Sequence, residues 1–274
     1  MPELPEVETI ARGLDKRVRG DAIDSVWLGK HPEPLKSPAR QIAEALTGTR
    51  IAQVKRIGKH IIFDLEPGTS QNGTASAQWI VHLGMTGRML VASPDEEIPK
   101  HTHAIARLSS GRELRFVDPR RFGRLSVALE SPFAGPGTEP LTASVEEFVQ
   151  LFRGRRTPIK AALLNQSLLH GVGNIYADES LFRAGIRPRR QAGGLSRVEL
   201  TRLHKAVKKV LKEAIKLGGS SVSDYVDAEG REGFFQLQHR VYMRTGKPCL
   251  VCKRPIQRIV LGGRSTHFCP NCQK

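Results

Sequence analysis

Ser131-Pro-Phe-Ala-Gly-Pro-Gly-Thr-Glu-Pro140 divides a chain of 274 residues into two textures. Proline removes backbone donors and glycine loosens the chain, so this stretch reads as a linker. Before it, short β-branched and aromatic runs are broken by Gly, Pro and charged turns. Candidate strands fall at 23–28, 51–57, 60–65, 78–82, 103–108, 113–117 and 124–129. Short strands with turn signals between them predict an antiparallel sandwich. One helix precedes them. Pro5 suits a first turn, and Val7, Ile10, Ala11 and Leu14 recur at helical spacing, with Glu6, Glu8, Arg12 and Asp15 on the wet side.

After the linker the period is helical. Thr157-Pro158 predicts a capped helix start running to about 166. Asn174 is a candidate cap for a second helix ending at Gly185. Ser196 and Glu199 form a capping box. The helix that follows carries Leu200, Leu203, Val207, Val210, Leu211 and Ala214 on one face and a run of Lys and Arg on the other. Residues 220–238 are polar and irregular, a length that inside a compact domain is functional or disordered.

Charge separates the same halves. Residues 1–145 hold 19 Lys/Arg against 17 Asp/Glu, whereas residues 146–274 hold 24 against 10, within a total of +16. An excess confined to one half suggests a polyanion surface. No apolar run reaches bilayer length and residues 1–30 are charged throughout, so neither membrane anchor nor export signal is expected. The expected location is the cytoplasm or nucleoid, and a monomer is the default.

The four cysteines stand as Cys249-x2-Cys252 and Cys269-x2-Cys272, with 16 residues between the pairs. Two such knuckles can set four thiolates around one zinc ion, and in a reducing compartment that outranks a disulfide pair. Four protein ligands leave no open position, so the zinc is structural. Gly262-Gly263 would turn the intervening hairpin, which carries Arg258, Arg264 and His267.

Two further stretches are ambiguous from spacing alone. Gly171-Val-Gly-Asn174 joins two helices and, with Arg155, Arg156 and Lys160, could clamp a phosphate; a plain tight turn explains it equally well. His82-Leu-Gly-Met85 and Asp118-Pro-Arg-Arg-Phe-Gly123 lie at strand-to-turn boundaries. In extended chain Arg120 and Phe122 would share a side. They could fill the hole left by an extruded base, but spacing alone favours Met85 and Phe122 as core.

Taken together, Met1-Pro-Glu-Leu-Pro-Glu-Val-Glu8, His82-Leu-Gly-Met85, Asp118–Gly123, Gly171-Val-Gly-Asn-Ile-Tyr-Ala-Asp-Glu-Ser180 and the cysteine hairpin resemble bacterial formamidopyrimidine-DNA glycosylases across essentially the whole chain. The resemblance implies an α+β protein of two domains. A leading helix and β-sandwich would occupy 1–132, with a linker at 133–145. A helix–two-turn–helix domain with a lesion-capping loop would span 146–238, and a zinc-finger β-hairpin 239–274. It implies a base-excision repair enzyme that excises oxidised purines from double-stranded DNA and cleaves abasic sites.

By the same resemblance Pro2 is the nucleophile, Glu3 the general acid, Lys59 the β-elimination lysine and Arg264 the hairpin arginine of the later elimination. Met85, Arg120 and Phe122 fill the void, which reverses the reading from spacing. His101, Arg155 and Asn174 match contacts to the DNA backbone, while Lys160 is expected on the DNA from the basic flank of the Gly-Val-Gly stretch and not from the resemblance. His60 departs from the aromatic usual after the lysine, and Thr157-Pro158 interrupts a usually more basic run. The rival readings are an endonuclease VIII-type glycosylase for oxidised pyrimidines, a non-catalytic zinc-ribbon DNA binder, and a ribosome- or tRNA-binding protein.

Overall fold

The computed structural model describes residues 1–68, 76–221 and 233–274. The chain forms two compact units. One comprises Met1–Pro2 and Glu6–Ala134 together with Ser221 and Gly233; the other comprises Glu3–Pro5, Gly135–Ser220 and Phe234–Lys274.

The first unit opens with α1, Leu4–Val18, followed by β1 (Ile23–Leu28), α2 (Ala39–Leu46), β2 (Thr49–Ile57) and β3 (His60–Pro67). Five more strands complete it: β4 (Ala77–His82), β5 (Arg88–Ala92), β6 (Thr102–Leu108), β7 (Glu113–Val117) and β8 (Arg124–Ala128). They form two antiparallel sheets, ordered β1-β6-β7-β5 and β2-β3-β4-β8. Alternate residues of each face inward, and Ile61, Phe63, Trp79, Val81, Leu114 and Phe116 share one core with Val7, Ile10 and Leu14 of α1. All seven expected strands are present. Glu6 does not lie on the wet side: it is buried, as are its neighbours Glu3 through Val7.

The second unit contains α3 (Val145–Phe152), α4 (Ile159–Leu164), α5 (Asn174–Ala184) and α6 (Arg197–Lys216), and ends in the hairpin β9 (Gln257–Leu261) and β10 (Arg264–Phe268). The Ser196–Glu199 capping box forms in full, and the six expected apolar residues of α6 are buried. Gly185 closes α5 in the left-handed conformation. Two caps differ from expectation. Pro158, not Thr157, takes the cap position of α4, where the N–H groups of Ile159 and Lys160 donate to Arg190 and Pro188 carbonyls instead. Gly173, not Asn174, caps α5. Gly262 and Gly263, both at positive φ, make the two-residue turn of the hairpin. Among the described residues no helix is long and apolar enough to cross a membrane.

Lys160 does not belong to an exposed clamp. Its side chain is buried in α4, 2.6 Å from Asp178 Oδ1 of α5, and Nζ donates to the Ser265 carbonyl of β10 at 2.8 Å. Burial pulls its ammonium below the ordinary lysine range while Asp178 opposes that shift. The other oxygen of Asp178 accepts the His267 backbone N–H at 2.8 Å and lies 3.2 Å from Nδ1 of that ring. His267 is therefore a buried docking residue, not part of an exposed loop. Removing one member of a buried pair strands the other charge. Lys160→Ala is expected to cost about 3–5 kcal/mol, measured by denaturant titration of the transition that loosens the hairpin, and adding Asp178→Asn should recover most of that loss.

Candidate active site and nucleic-acid interface

The amino terminus is held, not frayed. Leu4 donates its backbone N–H to the Gly171 carbonyl at 3.0 Å, and Glu3 Oε1 accepts the Ile175 N–H at 3.1 Å. Glu3 thus lies at the start of α5, a favourable end for a carboxylate. The Gly-Val-Gly stretch exists to admit it. A Cβ on Gly173 would sit 2.3 Å from Glu3 Cδ, and one on Gly171 would sit 2.7 Å from Leu4 Cδ1. The N–H of Ile175 is accordingly taken by Glu3 and is not left open for phosphate. Pro2 is half-buried beside it.

Around Glu3 the second unit gathers polar groups of which the sequence singled out only some. Burial pushes the Tyr242 hydroxyl up, Asn174 opposes that shift, and Glu3 and Asp178 add to it electrostatically. Glu3 and Arg264 both act on Lys160. Glu179, next to Asp178, accepts three backbone N–H groups, from Arg240, Val241 and Tyr242, at 2.9 to 3.0 Å. Burial nevertheless pushes its carboxyl above the usual range. Asp178 and Glu179 lie within the Gly171–Ser180 motif but were given no role there, and Tyr242 had no spacing signal. Arg155 and Arg264 are exposed, and Arg155 Nε donates to the Leu151 carbonyl at 2.6 Å.

In the first unit Lys59 sits in the two-residue turn between β2 and β3 and is only 7% exposed, so its amine is desolvated as the strand pattern implies. The neighbouring His60 ring lies 5.0 Å from His82 and 4.8 Å from Phe133. His60 thus packs ring against ring with His82 and Phe133. Burial, with His60, Lys59 and Arg124 nearby, lowers the His82 pKa to about 4. Met85 and Phe122 are not core: they are 46% and 51% exposed. Nor do Arg120 and Phe122 meet by strand alternation. The segment is a turn with Arg121 at φ 55°, and the Arg120 guanidinium lies 4.7 Å from the Phe122 ring centroid. His101 is exposed at φ 70°.

The four cysteine sulfurs lie within 4.8 Å of one another, with Cys249–Cys272 at 3.9 Å and Cys252–Cys269 at 3.4 Å. A tetrahedron with Zn–S bonds of about 2.3 Å has edges of roughly 3.8 Å. The backbone N–H groups of Val251 and Cys272 point at the Cys249 and Cys269 sulfurs, each at 3.4 Å. Donor type, spacing and N–H support fit one structural zinc ion.

Three family models tile the chain: the formamidopyrimidine-DNA glycosylase N-terminal domain over 1–125, its H2TH domain over 135–226, and the zinc finger found in FPG and IleRS over 246–274. The chain belongs to the formamidopyrimidine-DNA glycosylase family. Relatives so named from Solibacter usitatus and Listeria monocytogenes are 45% and 40% identical, each comparison covering all of both chains. Among solved structures, the Thermus thermophilus MutM (Fpg) protein aligns at TM-score 0.86 and 41% identity, covering 99% of this chain and 98% of that one. A Lactococcus lactis FPG mutant in complex with DNA containing Fapy-dG aligns at 0.89 and 34%, covering both chains fully. These matches span all parts of the glycosylase and set aside the pyrimidine-type, non-catalytic and RNA-binding readings.

Two outcomes follow for this family member. Stripping zinc with a chelator should release about one metal per chain and abolish binding to abasic-site duplex, read by metallochromic dye and gel shift. His82 and His239 both have pKa values lowered to about 4, chiefly by burial. Between that value and the ordinary 6.5 the unfolded chain holds more protons, so stability is full above 6.5 and falls as pH drops toward 4. Moving from pH 7 to 5 should cost about 2 kcal/mol per histidine, and His82→Gln should flatten the slope in a thermal-melt series.

Proposed function

We propose that the chain is a bifunctional DNA glycosylase and AP lyase that excises oxidised purines, 8-oxoguanine and formamidopyrimidines, from duplex DNA through a Schiff base on Pro2. The observation that carries the reading is the anchored terminus. Glu3 and Leu4 are tied by hydrogen bonds to the segment that opens α5, which leaves Pro2 held beside a fixed carboxylate.

The chemistry suits those groups. With Met1 removed, Pro2 is a secondary amine. Its lone pair attacks C1′ as the bond from C1′ to the base nitrogen breaks, and the base leaves with a proton. Opening of the sugar ring, with a proton delivered to O4′ by Glu3, gives an iminium ion. That adduct has no N–H to lose and stays cationic, so the C2′ proton is acidic. Its removal expels the 3′ phosphate, and loss of the 5′ phosphate follows in a second elimination. Lys59, desolvated in its turn, suits the first elimination; Arg264 on the hairpin suits the second. A desolvated lysine shifts readily and can hold or pass a proton.

Met85, Arg120 and Phe122 would fill the space left by the extruded base, with His101, Arg155 and Asn174 on the DNA backbone. An exposed Phe and Met supported by a guanidinium suit a wedge between bases. Residues 222–232, within the expected lesion-capping loop, lie outside the described residues. We place the enzyme in the bacterial cytoplasm, on the nucleoid.

Borohydride reduces an iminium to a permanent amine, so it traps protein on DNA only if the Schiff base forms. Incubation with an 8-oxoguanine duplex should give a trapped adduct, and Pro2→Gly should lower its yield by about tenfold or more, a barrier increase of at least ~1.4 kcal/mol. Intact mass should show that Met1 is absent. A retained Met1 makes Pro2 an amide and excludes it as the nucleophile.

A further inference from the structure

Asp118 has no solvent exposure, yet its role in the Asp118–Gly123 motif is not taken up by any step above. Its carboxylate faces the two loops that carry the wedge. Oδ1 accepts the Thr86 hydroxyl at 2.5 Å and the Arg120 backbone N–H at 3.2 Å, and Oδ2 accepts the Gly123 N–H at 2.7 Å. Thr86 follows Met85, and Arg120 and Gly123 bracket the other wedge side chains. One carboxylate therefore touches both loops.

The backbone of the same residue is also fixed. Asp118 N–H donates to the His101 carbonyl at 3.0 Å, and His103 Nε2 donates to the Asp118 carbonyl at 2.9 Å. The loops meet closely. At Gly84 (φ 65°) a Cβ would come within 2.6 Å of Gly123 N and of Phe122 C. The Gly84 N–H donates to His82 Nδ1 at 3.2 Å.

We propose that Asp118 is the positioning residue of the wedge: it locks the Met85 loop to the Arg120–Phe122 loop so that three side chains on two loops enter the duplex as one rigid body. This rests on the reading of Met85, Arg120 and Phe122 as void-filling residues. Exposed side chains on separate loops would otherwise lose rotamer and loop entropy when they insert, and that cost would fall on every turnover. A buried carboxylate with three donors removes it in advance. Asparagine keeps the shape but presents an amide NH2 toward one set of donors, so at least one of the three bonds is lost.

The test separates opening of the base stack from chemistry. An 8-oxoguanine duplex needs the wedge; a single-stranded abasic oligonucleotide has no opposite base to support and an aldehyde already free for the amine. The readout is the ratio of kcat/KM on the duplex to incision of the single strand. Asp118→Asn should lower that ratio about tenfold and Thr86→Val about threefold, with duplex loss mainly in kcat. In the Phe122→Ala background, Asp118→Asn should add less than about twofold, because one body has already been broken. Thr86→Val only deletes a hydroxyl and keeps the proposal testable should Asp118→Asn fold poorly. Equal losses on both substrates, or full additivity with Phe122→Ala, would mean a purely structural aspartate and overturn the proposal. If Met85→Ala and Phe122→Ala leave the ratio unchanged, the void-filling reading fails and the proposal with it. If they lower it while Asp118→Asn and Thr86→Val do not, only the proposal fails.

Discussion

The hydrogen bond from the Ile175 N–H to Glu3 is the constraint from which the site is built. A chain terminus has nothing to hold it, and ordering one costs about 1–2 kcal/mol of backbone entropy per residue. Here that cost is offset by two hydrogen bonds and by burial of Leu4 against Gly171. The constraint runs both ways. Glycine at 171 and 173 is required by the close approach of Leu4 and Glu3, so these positions are read as receptors for the terminus and not as a flexible anion loop. The amine proposed as the nucleophile at Pro2 would gain from such fixation, since proximity and orientation are large savings for an attacking group.

The zinc hairpin shows why a metal knuckle alone does not orient the strand that carries Arg264. Zinc fixes the base of the hairpin through Cys249, Cys252, Cys269 and Cys272. The strand carrying Arg264 is oriented by Asp178 and Lys160, which grip His267 and the Ser265 carbonyl. Lys160 was expected on DNA because it is a cation in a basic segment. Sequence periodicity places it on α4 but does not reveal that Asp178, eighteen positions later, comes within 2.6 Å of it.

Much of the fold was legible because it rests on local chemistry. The Ser196–Glu199 box, the Gly185 stop, the Gly262-Gly263 turn and seven strands each depend on a few adjacent residues. Two of the missed elements lacked such signals: helix α2 follows a proline-rich run with no side-chain cap, and β5 is short and begins at Arg88. Helix α3 did carry one, the Ser144–Glu147 capping box, close behind the linker. At the site, Cys249, Cys252, Cys269 and Cys272 were readable from spacing alone. Pro2, Glu3, Lys59 and the wedge needed the family pattern, because nothing local separates a nucleophilic proline from a helix start. Arg120 and Phe122 do meet, but through a turn with a left-handed Arg121, which an alternating strand pattern does not describe.

One device recurs in four segments of this strongly basic chain. Glu3 accepts the Ile175 N–H at the terminus, and Asp118 accepts Arg120 and Gly123 at the wedge. Asp178 accepts His267 at the hairpin, and Glu179 accepts Arg240, Val241 and Tyr242 on the segment leading to it. All four carboxylates are buried. Apart from Lys59, Arg115 and Lys160, the described Lys and Arg residues are not buried, and these acids hold backbone N–H groups inside. A buried acid suits that task because a carboxylate offers about four acceptor sites and can gather donors from several segments, whereas a lysine or arginine can only donate and leaves backbone N–H groups unmet. Charge-assisted bonds of this kind are also about twice as strong as neutral ones. The net charge of +16 therefore describes the surface this enzyme presents to DNA, and its buried acids fix the terminus, the 118–123 turn and the hairpin.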